Sequence, residues 1–176
     1  GEQLGGGIVD RAAFPLPQGS LGSIFPVPDL SADGNMLVWT ETRAGGLVFA
    51  YDLSSGSAPT TTSPAESTDQ AAVGGVLWNA NVLVPRTSGK VELLSLATGK
   101  PALLPFVPAL SPDELPLWSR PAVLADGSGF VISDGRRMLY RASPKDQPRR
   151  HLAIAAEQVV EQPLRGPLAA VNDTIY

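Results

Sequence analysis

Apolar residues along this chain fall into short runs, each closed by glycine, proline, aspartate, asparagine or serine. The clearest are MLVW (36–39), LVFAYDL (47–53), VLV (82–84), VELLSL (91–96), FVIS (130–133) and MLYR (138–141). The 17 prolines are spread over the whole length. An interior proline costs a helix about 3 kcal/mol, through a lost hydrogen bond and a clash with the preceding turn. The longer proline-free stretches are interrupted in turn by glycines such as Gly45, Gly56, Gly99, Gly127 and Gly135. Only residues 149–162 have the length for a helix of more than two turns, with Leu152, Ala156 and Val159 on one face. Short strands with turns about every eight to twelve residues indicate an all-β sandwich, barrel or propeller.

Internal repetition separates those three. DLSADGNMLVW (29–39), VLWNANVLV (76–84), AVLADGSGFVI (122–132) and LAAVNDTIY (168–176) each run from a short apolar strand through an Asp/Asn/Gly corner into a second strand. They recur at about 46 residues, the period of one four-stranded propeller blade. Asn, Asp and Gly suit these corners because they tolerate positive φ. A second hairpin follows in three repeats, turning at residues 43–46, 87–90 and 134–136. A less regular outer strand comes next, at 57–62, 102–107 and 151–155. Lettered A to D from channel to rim, this gives an all-β propeller with three whole blades at about residues 22–62, 72–107 and 118–157. Parts of two further blades flank them, AFPLP (13–17) reading as an outer strand of the first. The count fits an excerpt of a six- to eight-bladed ring. A four-bladed ring whose last sheet joins both termini is the alternative, but strand C of that sheet is missing. By this reading residues 149–162 are strand plus connector, with the D–A connection at 156–164.

Composition narrows the chemistry. The chain has 176 residues and no cysteine, so disulfides, zinc–thiolate sites and thiol nucleophiles are excluded. One histidine, His151, cannot build a multi-histidine metal site. A net charge of −4 argues against nucleic acid, whose phosphates need a cationic surface. No stretch approaches the ~20 apolar residues of a membrane-spanning helix. Ten arginines against three lysines match a GC-rich bacterial genome. The opening GEQLGGG is not a signal sequence, which fits a removed leader or a piece of a longer chain.

YDLSSG (51–56) and LSLATGK (94–100) resemble the Ala/Tyr-x-Asp-x-x-Thr/Ser-Gly-Lys element of PQQ-like repeats. That family builds the propellers of quinoprotein alcohol dehydrogenases and of the outer-membrane assembly lipoprotein of Gram-negative bacteria. DLSADGNMLVW also resembles the Ser-Pro-Asp-Gly corner of TolB-type repeats. The first resemblance implies a periplasmic or extracellular bacterial propeller. It does not carry the redox chemistry over. Quinoprotein enzymes follow the Thr-Gly-Lys turn with a docking tryptophan, where this chain has Pro101-Ala102-Leu103 and Ser57-Ala58-Pro59. Their vicinal cysteine pair is absent as well.

Other motifs fall short of a site. His151 stands at the expected rim in Arg149-Arg150-His151, and no Gly-x-Ser-x-Gly elbow occurs. The adjacent carboxylates Asp113 and Glu114 lie between Pro112 and Pro116 and read as an exposed loop. Asp33, Asp126 and Asp134 are each isolated in a turn and serve hairpins. Trp39, Trp78 and Trp118 suit packing between blades better than stacking on a sugar or quinone. The expectation is a non-enzymatic scaffold or protein-binding propeller with no cofactor and no metal. The alternative is a portion of a quinone-dependent dehydrogenase whose active site lies outside this chain. The D–A connections and B–C hairpins of a propeller share one face. The connections carry Glu66, Asp69, Asp113, Glu114, Glu157 and Glu161, while the hairpins carry Arg43, Lys90, Arg136 and Arg137. These opposed charges make Arg43, Lys90, Arg136, Arg137, Asp113 and Glu114 the candidate partner-facing residues.

Overall fold

The computed structural model describes residues 28–31, 34–41, 48–55, 60–62, 69–109, 114–147, 149–164, 166–171 and 174–176. All their regular structure is β, in antiparallel sheets. The first sheet runs β1 (Asp29–Leu30), β2 (Met36–Thr40), β3 (Val48–Asp52) and β4 (Thr60–Thr62) in sequence order. The second holds β5 (Val76–Trp78), β6 (Asn81–Pro85) and β7 (Val91–Ser95). The third holds β8 (Ala122–Val123), β9 (Phe130–Ser133), β10 (Met138–Lys145) and β11 (His151–Val159). A hairpin of β12 (Ala170–Val171) and β13 (Thr174–Ile175) begins a fourth unit.

The corners form where the chain offers residues that accept positive φ. The first turns of the three sheets place Gly34 at 73°, Asn79 at 54° and Gly127 at 67°. The later turns use Gly89, Gly99 and Gly135. Each sits where its sequence interrupts a strand-forming run, so register is fixed locally before the sheets meet.

Two outer segments differ from the sequence expectation. Residues 102–107 do not form a strand; bridges at Pro101 and Phe106 touch β7 singly. Pro101 and Pro105 have no N–H to give to a ladder, so pairing cannot propagate. In the third sheet, residues 156–159, expected in a connector, extend β11 to nine residues. Its register with β10 shifts once, by a bulge opposite Arg141 and Ala142. Residues 149–162 therefore hold a strand, not a helix.

Alternation of side chains sends the first and second sheets into two cores each and the third into one. Val38, Val48 and Ala50 of the first sheet meet Ala71, Val82, Val84 and Leu94 of the second. Trp39, Phe49 and Tyr51 occupy the opposite face of the first sheet, with the Trp39 and Phe49 rings stacked at 5.5 Å. Trp78, Leu83, Leu93 and Phe106 of the second unit meet Trp118, Phe130, Ile132, Tyr140 and Leu152 of the third. Phe106 contacts three rings across that boundary: Trp118 at 6.2 Å, Phe130 at 6.4 Å and Tyr140 at 5.5 Å. The tryptophans thus pack within and between sheets.

Candidate interaction face

The inner strands converge. Asp29 Oδ2 accepts the Leu77 N–H at 2.7 Å, and Oδ1 accepts Arg120 Nη2 at 2.7 Å. One carboxylate on the first sheet thereby ties the second and third. A cleft of about 220 Å³ beside it is lined by Asp29, Val76, Arg120 and the chain entering β12. Its acid is already committed to an arginine.

Connections and hairpins meet on one face. Asp69, ahead of β5, accepts the Ser88 N–H at 3.0 Å, the Thr87 hydroxyl at 3.0 Å and the Ser88 hydroxyl. Lys90 Nζ stands 3.9 Å away. Burial pushes the Asp69 carboxyl up, but the Ser88 and Thr87 hydrogen bonds and the Lys90 charge outweigh it and hold the group below its ordinary value of 3.8. In the third sheet Asp134 is buried, and its Oδ1 accepts the N–H groups of Arg136 (2.8 Å), Arg137 (3.0 Å) and Met138 (2.9 Å). The Leu117 N–H donates to the Asp134 carbonyl at 2.7 Å, and Arg136 donates through Nε and Nη2 to the Leu115 carbonyl at 3.3 and 3.2 Å. The connector is thus laced to the hairpin it crosses.

These contacts redistribute the expected charges. Lys90 also lies 3.7 Å from Glu92, and Arg136 is spent on a carbonyl. Glu157 is not on a connection but within β11. Arg137 and Glu114 are exposed, and the Arg137 side chain has no partner among the described residues. Arg43 and Asp113 lie outside the described residues. Beside Glu114 the side chains of Leu115 and Leu117 stand 52% and 51% exposed. Those two leucines went unremarked in the sequence, although Leu-Pro-Leu between Glu114 and Trp118 holds no polar side chain to face water in their place.

A buried charged residue directly follows strand B in each of the three sheets: Glu41 after β2, Arg86 after β6 and Asp134 after β9. Arg86 Nε donates to Glu92 Oε2 at 2.8 Å with the arginine side chain fully buried. Its Nη1 and Nη2 find no partner among the described residues. The recurrence of a charge at this position of an aligned repeat was the available signal.

The other sequence candidates stay structural. His151 Nδ1 donates to the Arg149 carbonyl at 2.6 Å at the start of β11. Asp126 Oδ1 accepts the Ser128 N–H at 2.9 Å. No group of three or more His, Asp or Glu positioned for a metal ion occurs among the described residues. A quinone does not fit the tryptophans: Trp39, Trp78 and Trp118 are 7%, 4% and 3% exposed, and no ring is free to stack.

Short antiparallel sheets meeting face to face around converging inner strands define a β-propeller. Solved structures share this fold. BamB from Moraxella catarrhalis matches 89% of this chain with a TM-score of 0.65 at 15% identity, over 44% of its own length. Hsv2 from Kluyveromyces lactis matches 75% with a TM-score of 0.56 at 10% identity, over 46% of its length. The chain therefore spans less than half of either propeller. No family model and no curated protein matches the sequence.

Proposed function

We propose that this chain is part of a non-enzymatic, exported bacterial propeller that binds a protein partner through the face of its D–A connections and B–C hairpins. The blades that complete the ring come from the parent chain, and the PQQ-like resemblance together with the match to BamB supports that assignment. The observation that carries the reading is the exposed pair Leu115 and Leu117, held on a connector that hydrogen bonds fix to the third hairpin. Such apolar side chains bordered by the exposed Glu114 and Arg137 match a small interface with a hydrophobic centre and charged rim. Charges there steer encounter and fix register more than they add affinity. Because Arg136 supports the connector, the informative variant spares it. The Leu117→Ser, Arg137→Glu double variant of the full-length protein is expected to lose partners recovered by crosslinking in the native host. Its melting temperature stays within about 2 °C, as surface substitutions cost little. A variant that retains every partner of the parent overturns the reading.

A further inference from the structure

The three rims end differently. β4 is three residues long. In the second sheet residues 101–106 touch β7 only at single bridges, with Pro101 and Pro105 interrupting them. β11 runs nine residues, HLAIAAEQV, without proline, glycine or lysine. Sheet edges are normally protected by shortness, proline or lysine, because an unpaired row of N–H and C=O groups templates another strand. Prolines protect the second rim, and nothing of the kind protects the third.

The direction of each β11 backbone group follows from its ends. The Leu152 N–H points outward and donates to the Leu104 carbonyl at 3.0 Å, while the Leu104 N–H donates to the Arg150 carbonyl at 3.0 Å. The start of this edge already pairs in parallel with one residue, and Pro105 stops the pairing there. At the other end the Val160 N–H points inward, to the Arg137 carbonyl at 2.7 Å. Counting in twos from each end, and allowing for the bulge, the N–H and C=O groups of Ile154, Glu157 and Val159 face outward. None of the described backbone groups pairs with them. Ile154 is 41% and Val159 66% exposed, with the exposed Glu157 between them and no cation in residues 154–159. Blades of a ring meet face to face, and among the described residues the second blade touches this rim only around Leu104.

We propose that the outer edge of β11 from Ile154 to Val159 adds an extended segment of a protein partner as a fifth strand. Main-chain hydrogen bonds supply the affinity, and alternate side chains supply the selectivity. Apolar residues of the segment lie beside Ile154 and Val159, and a Lys or Arg lies against Glu157. The pairing continues the one that Leu104 makes at His151. This edge runs up to the connector face at Val159, beside Arg137, but the proposal does not rest on that face.

A phage-displayed library of random linear octapeptides, selected on the purified full-length protein, tests this. Enriched peptides are expected to alternate apolar residues around a Lys or Arg. Ile154→Pro and Glu157→Pro remove only outward N–H groups, which a strand edge tolerates, and each is expected to weaken a synthetic enriched peptide at least tenfold. N-methylation of alternate peptide amides, which leaves the protein untouched, is expected to do the same. Glu157→Lys should shift the selected residue from basic to acidic. Three results overturn the proposal: no enrichment, peptides indifferent to both the proline variants and N-methylation, or a dimer of the chain that Glu157→Pro dissociates. The last would assign the edge to a second copy.

Discussion

Gly135 shows how tightly one position is specified. Its φ of 68° disfavours any L side chain, and a Cβ built there would overlap the Leu117 carbonyl oxygen, a backbone atom that cannot step aside. Gly135→Ala is therefore expected to cost roughly 2–4 kcal/mol from conformational strain plus displacement of the connector, read as a lower urea midpoint. Gly127 has a similar φ but open space around it, so Gly127→Ala should cost only the conformational part, about 1 kcal/mol. The need for glycine or asparagine at such corners was legible in the sequence, because it is a property of a single residue's backbone. The crowding at Gly135 was not, since it depends on a connector 18 residues upstream in the chain. Asp29 and Arg120 illustrate the same limit. Each is an ordinary loop-edge charge until the inner strands bring them to 2.7 Å.

At the scale of elements, hydrophobic runs located the strands well because their alternation is a local signal. The outer strands were the least legible. Residues 101–106 have apolar character but too few N–H groups, and β11 continues past the residues expected because its alanines and Gln158 neither favour nor forbid extension. Contacts between elements reveal a pH dependence as well. Asp69 joins the connector to the hairpin at Ser88, and its carboxyl titrates below 3.8 in the folded state. A depressed folded value means that the carboxylate contributes stability above the unfolded value and loses it as pH falls through the folded one. The melting temperature of Asp69→Asn should lie below that of the parent at neutral pH, and the gap should shrink as pH drops below about 4. A gap independent of pH down to about 2.5 would assign the loss to packing and hydrogen-bond geometry instead of charge.

Across the whole molecule, cohesion runs from sheet to neighbouring sheet, as in a one-dimensional array. The first and second sheets share one core, the second and third another, and the described apolar clusters contain none that joins the first directly to the third. The tie that does is polar: Asp29 with Arg120. This separation makes Phe106 diagnostic. It is 1% exposed, sits on the irregular outer segment of the second unit, and meets three aromatic rings of the third. Phe106→Ala should cost about 3–5 kcal/mol by leaving a cavity at that boundary. The whole penalty falls on one interface. Amide exchange should accordingly quicken in β5–β7 and β8–β11, while β2 and β3, whose core is made with the opposite face of the second sheet, keep most of their protection. If exchange in β2 and β3 accelerates as much as in β9 and β10, the array unfolds as a single unit. The polar tie near the channel would then couple the sheets more strongly than their separate cores suggest.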